Sequence, residues 1–487
     1  MSWILNLLYL TLLAILSPWL AYKAATTGKY RRGMLRKVLG DAAHPLLTNS
    51  WPGPTVWLHG VSVGEVHLLR HVVAACKSRH PAWRLVVSTT TDTGHDEAIK
   101  SFPDLPVVWF PLDFSWAVTR AISQVKPDLI VLGESELWPN FLSEAKRRGV
   151  PVAVINARMS PRSAARFENF AWLTGRLFRD VSLFAAQTED YAERYRRLGA
   201  RHVVMTGSIK YDGATADRAN AKTLALADLF TLEPRSAPLS PCGRGAGGEG
   251  ARQYPHATIP EASAPPMSRP SFPLTPNPSP ARGEGDRSDG SLVFVAGSTQ
   301  APEEEICLAI FETARKQHPN LRLILVPRHK ERFDEVANLL TRSNAAFVRR
   351  SELTAPTDAP IILVDTIGEL GAIWGLANVA YVGGSLDGVR GGQNMIEPAA
   401  YGAAVLFGPH TWNFKETVTR LLEHRAAIQI ADAEELEREV MRLLADATAR
   451  DRLGKNAQGF VRSQQGATAR TLEAIEVLLP DCKTIAA

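Results

Sequence analysis

Residues 128–157 read DLIVLGESELWPNFLSEAKRRGVPVAVINA. Two continuous apolar runs, DLIVLGE (128–134) and PVAVINA (151–157), bracket an amphipathic stretch from Asn140 to Gly149. An apolar run without polar alternation suits a strand buried on both faces, and two such runs separated by a helix make a βαβ unit. The rhythm extends outward in both directions. TVWLHG (55–60), RLVVST (84–89) and VVWF (107–110) come before it. SLFAAQ (182–187), amphipathic Asp190–Leu198 and HVVMTG (202–207) come after. Residues 55–207 are therefore predicted to form a parallel sheet with helices on both sides.

The rhythm stops over 233–290, which is rich in Pro, Gly, Ser and Arg and poor in large apolar residues. Such a stretch cannot bury enough surface to offset its ordering entropy. It carries an imperfect repeat, LSPCGRGAGGEG (239–250) against LTPNPSPARGEG (274–285), and reads as an inserted disordered linker without a catalytic role. Strand-like runs resume with SLVFVAGS (291–298), RLILVP (322–327), PIILVD (360–365), VAYVGGS (379–385) and AAVLFG (403–408), and helices are expected over most of 432–479. The fold class is α/β, with two doubly wound Rossmann-like domains facing a cleft. The expected division is a helix over 1–22, a first domain over 23–232, the insert, and a second domain over 291–487.

Composition narrows the function. The 487 residues are 45% hydrophobic and 22% charged, which suits a globular chain. A formal charge of +5 fits an anionic membrane surface or a phosphorylated substrate and is too small to argue for nucleic acid. Cys76, Cys242, Cys307 and Cys482 lie in no metal-binding or disulfide spacing, and no metal site is expected. Residues 1–22 carry no charge, and Lys23, Lys29, Arg31, Arg32, Arg36 and Lys37 follow. This pattern predicts a single N-terminal membrane anchor, spanning or lying in one leaflet, with the rest of the chain on the cytoplasmic face. Arg31, Arg32 and Arg36 are then expected near headgroups.

In doubly wound sheets ligands bind beyond the carboxyl ends of the strands, so the chemistry is sought there. HGVSVGE (59–65) ends the first run. Glu65 is either the far end of an S-x-x-E capping box or a general base beside Gly60 and Gly64. GESELWPN (133–140) places Glu134 and Glu136 after the fourth run, Asn156, Arg158 and Ser160 follow the fifth, and Lys210 follows the last. In the second half, Gly297-Ser298-Thr299 can offer N–H groups to a phosphate, and Arg328 suits a phosphate or carboxylate. GGSLDGVRGGQNMIEP (383–398) leads into Asn394 and Glu397, one helical turn apart and able to hold ribose hydroxyls. No GxGxxG follows the first run and no GxxxxGK[ST] or DxD occurs, which disfavours dehydrogenases, P-loop NTPases and single-domain metal-dependent sugar transferases.

HGVSVGE, GESELWPN, INARMS, GSIKYD, VPRH, IGEL, GGSLDGVRGGQN and GPHTWNFK stand in the order seen in the Kdo (3-deoxy-D-manno-octulosonic acid) transferases, which the whole chain except the insert resembles. The resemblance implies a GT-B fold, an acceptor-binding first lobe and a CMP-sugar-binding second lobe. It also implies transfer of Kdo from CMP-Kdo to lipid IVA (tetraacyldisaccharide 1,4'-bisphosphate) at the inner membrane, with no cofactor beyond the donor. Glu65 stands at the place of the catalytic base, and Glu134 and Lys210 at positions of transition-state stabilisation. Pro327 and Arg328, then Ile367, Gly368 and Glu369, then Asn394, Met395, Ile396 and Glu397 stand at CMP-binding positions. The sequence departs from the family at NMIE, at Gln393, and in a glycine loop one residue longer. A UDP-sugar transferase or epimerase of the same fold, or an inactive membrane-bound scaffold, are the competing readings.

Overall fold

The structure, a computed structural model, describes residues 2–27, 32–214, 217–232 and 291–479. The insert expected over 233–290, together with Lys29 and Arg31, lies outside the described residues.

Strands β1 (Thr55–His59), β2 (Arg84–Thr89), β3 (Val107–Trp109), β4 (Leu129–Leu132), β5 (Val152–Ala157), β6 (Leu183–Ala186) and β7 (Val203–Met205) form a parallel sheet in the order β3-β2-β1-β4-β5-β6-β7. A second parallel sheet contains β8 (Val293–Thr299), β9 (Arg322–Pro327), β10 (Phe347–Arg349), β11 (Ile361–Leu363), β12 (Val379–Val382), β13 (Ala404–Phe407) and β14 (Ile428–Gln429), ordered β10-β11-β9-β8-β12-β13-β14. Every residue of β1, β4, β5, β8, β12 and β13 is buried, because helices cover both faces of each sheet. Each lobe thus has two cores, one per face. In the first lobe Trp57, Ile130 and Phe141 lie on one side and Leu58, Val131 and Val73 on the other. The strand order reverses between β1 and β4 and between β8 and β12, where diverging crossovers open a crevice at the carboxyl edge.

Two segments change lobes. Helix Ala221–Leu229 puts Leu226, Ala227 and Phe230 into the second lobe's core. Ahead of it, Arg218 donates to the carbonyls of Gly375, Ala377 and Tyr401. In return helix Ala467–Glu476 puts Ala467, Leu472 and Ile475 into the first lobe's core. Asp212 caps that helix by accepting from the Gly466 and Thr468 N–H groups. The lobes are therefore stitched by two crossings.

The expected membrane-spanning anchor is overturned: among the described residues no helix is long and apolar enough to cross a membrane. The placement at the inner membrane through such an anchor falls with it. Helix Ser2–Thr27 exists, but Asn6, Tyr9, Thr11, Ser17 and Pro18 interrupt its apolar run. Two of these are committed to the first lobe. Asn6 exchanges hydrogen bonds with Ser115 (2.7 and 3.0 Å) and Tyr9 donates to Asp113 (3.0 Å). The basic residues that follow are committed as well. Arg32 pairs with Asp96 at 2.7 Å, and Arg36 lies 3.6 Å from Asp41. Lys37 is buried over the Trp109 ring and donates to the Thr90 carbonyl at 2.7 Å.

Candidate active site

The carboxyl edges of the two sheets meet. Tyr191, in the helix after β6, lies within electrostatic reach of Glu416, and Tyr211, in the turn after β7, lies close to Thr417 and Arg420. Glu416 and Thr417 open the helix Lys415–Glu423 that follows β13. The site residues read from the sequence all lie along these edges or in the loops leading from them.

In the first lobe, β1 runs into Gly60, and helix Val63–Arg79 begins three residues later. Glu65 stands in its first turn, half-buried, accepting from the Val61 N–H (2.9 Å) and the Ser62 hydroxyl (3.2 Å). The Ser62 side chain accepts no helix N–H, so the capping box does not close, and the two contacts leave lone pairs on both carboxylate oxygens. Glycines fit closely on either side. A Cβ on Gly60 would lie 3.1 Å from the Glu65 Cβ, and one on Gly133 would lie 3.0 Å from the His59 carbonyl. Burial holds the Glu65 carboxyl above the usual carboxylate range; the Val61 and Ser62 bonds oppose this, while the negative charges of Glu134 and Glu136 add to it. The structure therefore brings Glu65, Glu134 and Glu136 together. Glu134 faces Arg158 at 3.4 Å, and Glu136 accepts from Trp138 Nε1 at 3.4 Å.

Lys210 is exposed in the turn Ile209–Tyr211 and holds no ion pair to Glu65 or Glu134 among the described residues. Its turn is anchored by Asn156, whose Oδ1 accepts from the Ile209 N–H at 3.3 Å. Asn156 sits fully buried at φ 51°, a left-handed geometry uncommon outside glycine and recurrent at functional strand ends.

In the second lobe Ser298 has the same geometry, φ 56°, at the end of β8. Arg328 is exposed at the end of β9, its N–H bonded to the Thr299 carbonyl at 3.0 Å. Asn394 Nδ2 donates to Glu397 at 3.0 Å, and its Oδ1 accepts from the Ile396 N–H at 3.0 Å. Burial raises the Glu397 carboxyl, opposed by the Asn394 bond and by the nearby Arg328 charge. Arg328, Asn394 and Glu397 therefore share one neighbourhood. Glu369 is tied to Arg350 at 2.8 Å and to Thr366. Ile367 is 80% exposed and Gly368 (φ 91°) borders open space. Pro327, Met395 and Ile396 turn their side chains into the protein, so only their backbone can meet a ligand.

The glycine loop is shaped by four left-handed glycines, Gly384, Gly388, Gly391 and Gly392. Sequence reasoning missed what holds it: the buried Glu303, which accepts from the N–H groups of Gly384 (2.7 Å), Ser385 (3.0 Å) and Leu386 (3.2 Å). In the sequence Glu303 is one of three glutamates opening a helix, a pattern that complements the helix dipole without further purpose.

Comparison with known proteins points one way. Residues 29–213 match a family model described as 3-deoxy-D-manno-octulosonic-acid transferase (kdotransferase). A 3-deoxy-D-manno-octulosonic acid transferase of Haemophilus influenzae is 30% identical over 482 residues, spanning 97% of this chain and 98% of that one. Another, of Bordetella pertussis, is 31% identical over 433 residues, 86% of each. Among solved structures, a UDP-GlcNAc 2-epimerase of Neisseria meningitidis superposes with a TM-score of 0.52 at 12% identity, covering 87% of this chain and 100% of that one, a likeness of fold alone.

Proposed function

The chain belongs to the Kdo transferase family, and from that premise we propose that it moves Kdo from CMP-Kdo to lipid IVA with inversion at the anomeric carbon. The observation that carries this reading is Glu65: a half-buried carboxylate with a raised proton affinity, flanked by close-packed glycines at the switch point of the first sheet.

CMP lies on the second lobe. Arg328 and the Ser298–Thr299 backbone meet its phosphate, and Asn394 and Glu397 hold its ribose hydroxyls. The acceptor hydroxyl enters from the first lobe. Glu65 takes its proton as the oxygen attacks the anomeric carbon on the face opposite CMP. The new C–O bond forms as the bond to the phosphate oxygen breaks, and CMP leaves with that electron pair. Positive charge grows on the sugar ring, where Glu134 opposes it electrostatically. Lys210, exposed in the turn Ile209–Tyr211, offsets the donor carboxylate or the leaving phosphate. Closure of the lobes excludes water, which would otherwise hydrolyse the donor.

Calorimetry with CMP and UDP separates this reading from a UDP-sugar enzyme of the same fold. CMP is expected to bind at least about tenfold more tightly than UDP, a difference of ~1.4 kcal/mol. Equal or tighter UDP binding would discard the donor assignment.

A further inference from the structure

Two loops frame the proposed donor site, and both hang from adjacent residues of one helical turn. Helix Glu303–Arg315 begins with Glu303 and Glu304, each 1% exposed. Burying two neighbouring carboxylates is costly unless each is fully engaged.

Glu303 is engaged with the glycine loop. Its Oε1 accepts from the Tyr381 hydroxyl (2.8 Å) and the Ser385 and Leu386 N–H groups. Its Oε2 accepts from the Gly384 N–H and from Gln300 N–H at 2.9 Å. Every one of these partners is a donor, so the site demands an acceptor-only group with two oxygens, which is an ionised carboxylate. A glutamine would turn an NH₂ toward N–H donors, and an aspartate would fall one methylene short. The packing has no slack, since a Cβ on Gly383 would stand 2.6 Å from Glu303 Oε2.

Glu304 is engaged with the opposite loop. Its Oε1 meets Arg332 Nη1 at 2.8 Å, and Arg332 closes the turn Lys330–Arg332 that directly follows Arg328 and His329. The same guanidinium is steadied from outside by Glu335 at 3.1 Å.

We propose that Glu303 and Glu304 are positioning residues for the donor site: the first turn of this helix sets the gap between the glycine loop and the Arg328 turn. Neither touches the reacting atoms. The inference rests on the donor reading above and adds a cause for the site's width.

The test uses the full chain with Glu303→Gln and Arg332→Gln, the second releasing Glu304 from the surface side. Each variant is expected to raise the Kd for CMP and the KM for CMP-Kdo about tenfold. The KM for lipid IVA should stay within about twofold, a split that general loosening of the fold would not produce. Unchanged CMP affinity in both variants, or parallel rises in both KM values, would overturn the proposal. If Glu303→Gln does not fold, Tyr381→Phe with Arg332→Gln decides on the same criteria. If the unaltered protein itself fails to bind CMP, the donor reading falls, and hydrogen exchange decides the brace separately. Faster exchange at the Gly384, Ser385 and Leu386 amides in Glu303→Gln supports it, and unchanged exchange refutes it.

Discussion

Glu65 accepts two hydrogen bonds that anchor it at the start of its helix, and burial raises its proton affinity, as suits a base. The two roles are compatible because the Val61 and Ser62 bonds orient the carboxylate without consuming its lone pairs. Its pH behaviour follows from the sign of the shift. A base works only when deprotonated, and burial together with Glu134 and Glu136 raises the pH at which that happens. The acid limb of kcat/KM is therefore expected above the ordinary glutamate value of about 4.3. Glu134→Gln removes one neighbouring negative charge and should move that limb to lower pH, whatever it does to the maximal rate. A limb at or below the ordinary value, unmoved by Glu134→Gln, would exclude Glu65 as the titrating base. At this scale the sequence showed which candidate groups stand at the strand ends wherever the signal was local. HGVSVGE announces a glycine-flanked carboxylate after a strand, and QNMIEP announces a neighbouring amide and carboxylate, although the helix begins only at Ile396 and Asn394 precedes it rather than sharing its face. Glu303 stayed hidden because its partners lie about eighty residues away, and only tertiary structure brings Gly384 to it.

Among the elements, the central strands were legible because burial on both faces leaves unbroken apolar runs. The edge strands Phe347–Arg349 and Ile428–Gln429 were not, because polar residues at Arg349 and Gln429 break their two- or three-residue runs. The exchange of segments between lobes was invisible too. Helix Ala467–Glu476 has an ordinary apolar face, and nothing in its pattern says which sheet it covers. The structure makes a sharp expectation of it. Ile475 is fully buried against the first lobe, so Ile475→Ala should cost about 2–5 kcal/mol. Hydrogen exchange after that substitution should quicken in β1 and β4, more than two hundred residues upstream, and not in β8 or β12. Exchange changing only in the second sheet would contradict the placement of this helix. The N-terminal helix teaches the reverse lesson. Its uncharged run suggested a span, yet Asn6 and Tyr9 are spent on docking to Ser115 and Asp113.

Across the whole molecule, two crevices at two switch points are joined by two crossings, and Tyr191 near Glu416 and Tyr211 near Thr417 mark where the carboxyl edges face each other. The proposed base on one lobe and the proposed nucleotide cradle on the other could then act on one bond only with the lobes together, which would couple chemistry to closure. The most direct measurement is mass spectrometry of lipid IVA after incubation with CMP-Kdo and either the unaltered protein or Glu65→Gln. If Glu65 is the base, the unaltered protein adds Kdo to the lipid, while Glu65→Gln still binds CMP and loses about 10²-fold or more of the transfer rate. Kdo addition at equal rates by both proteins would contradict the role given to Glu65, and no addition by either would contradict the transfer itself.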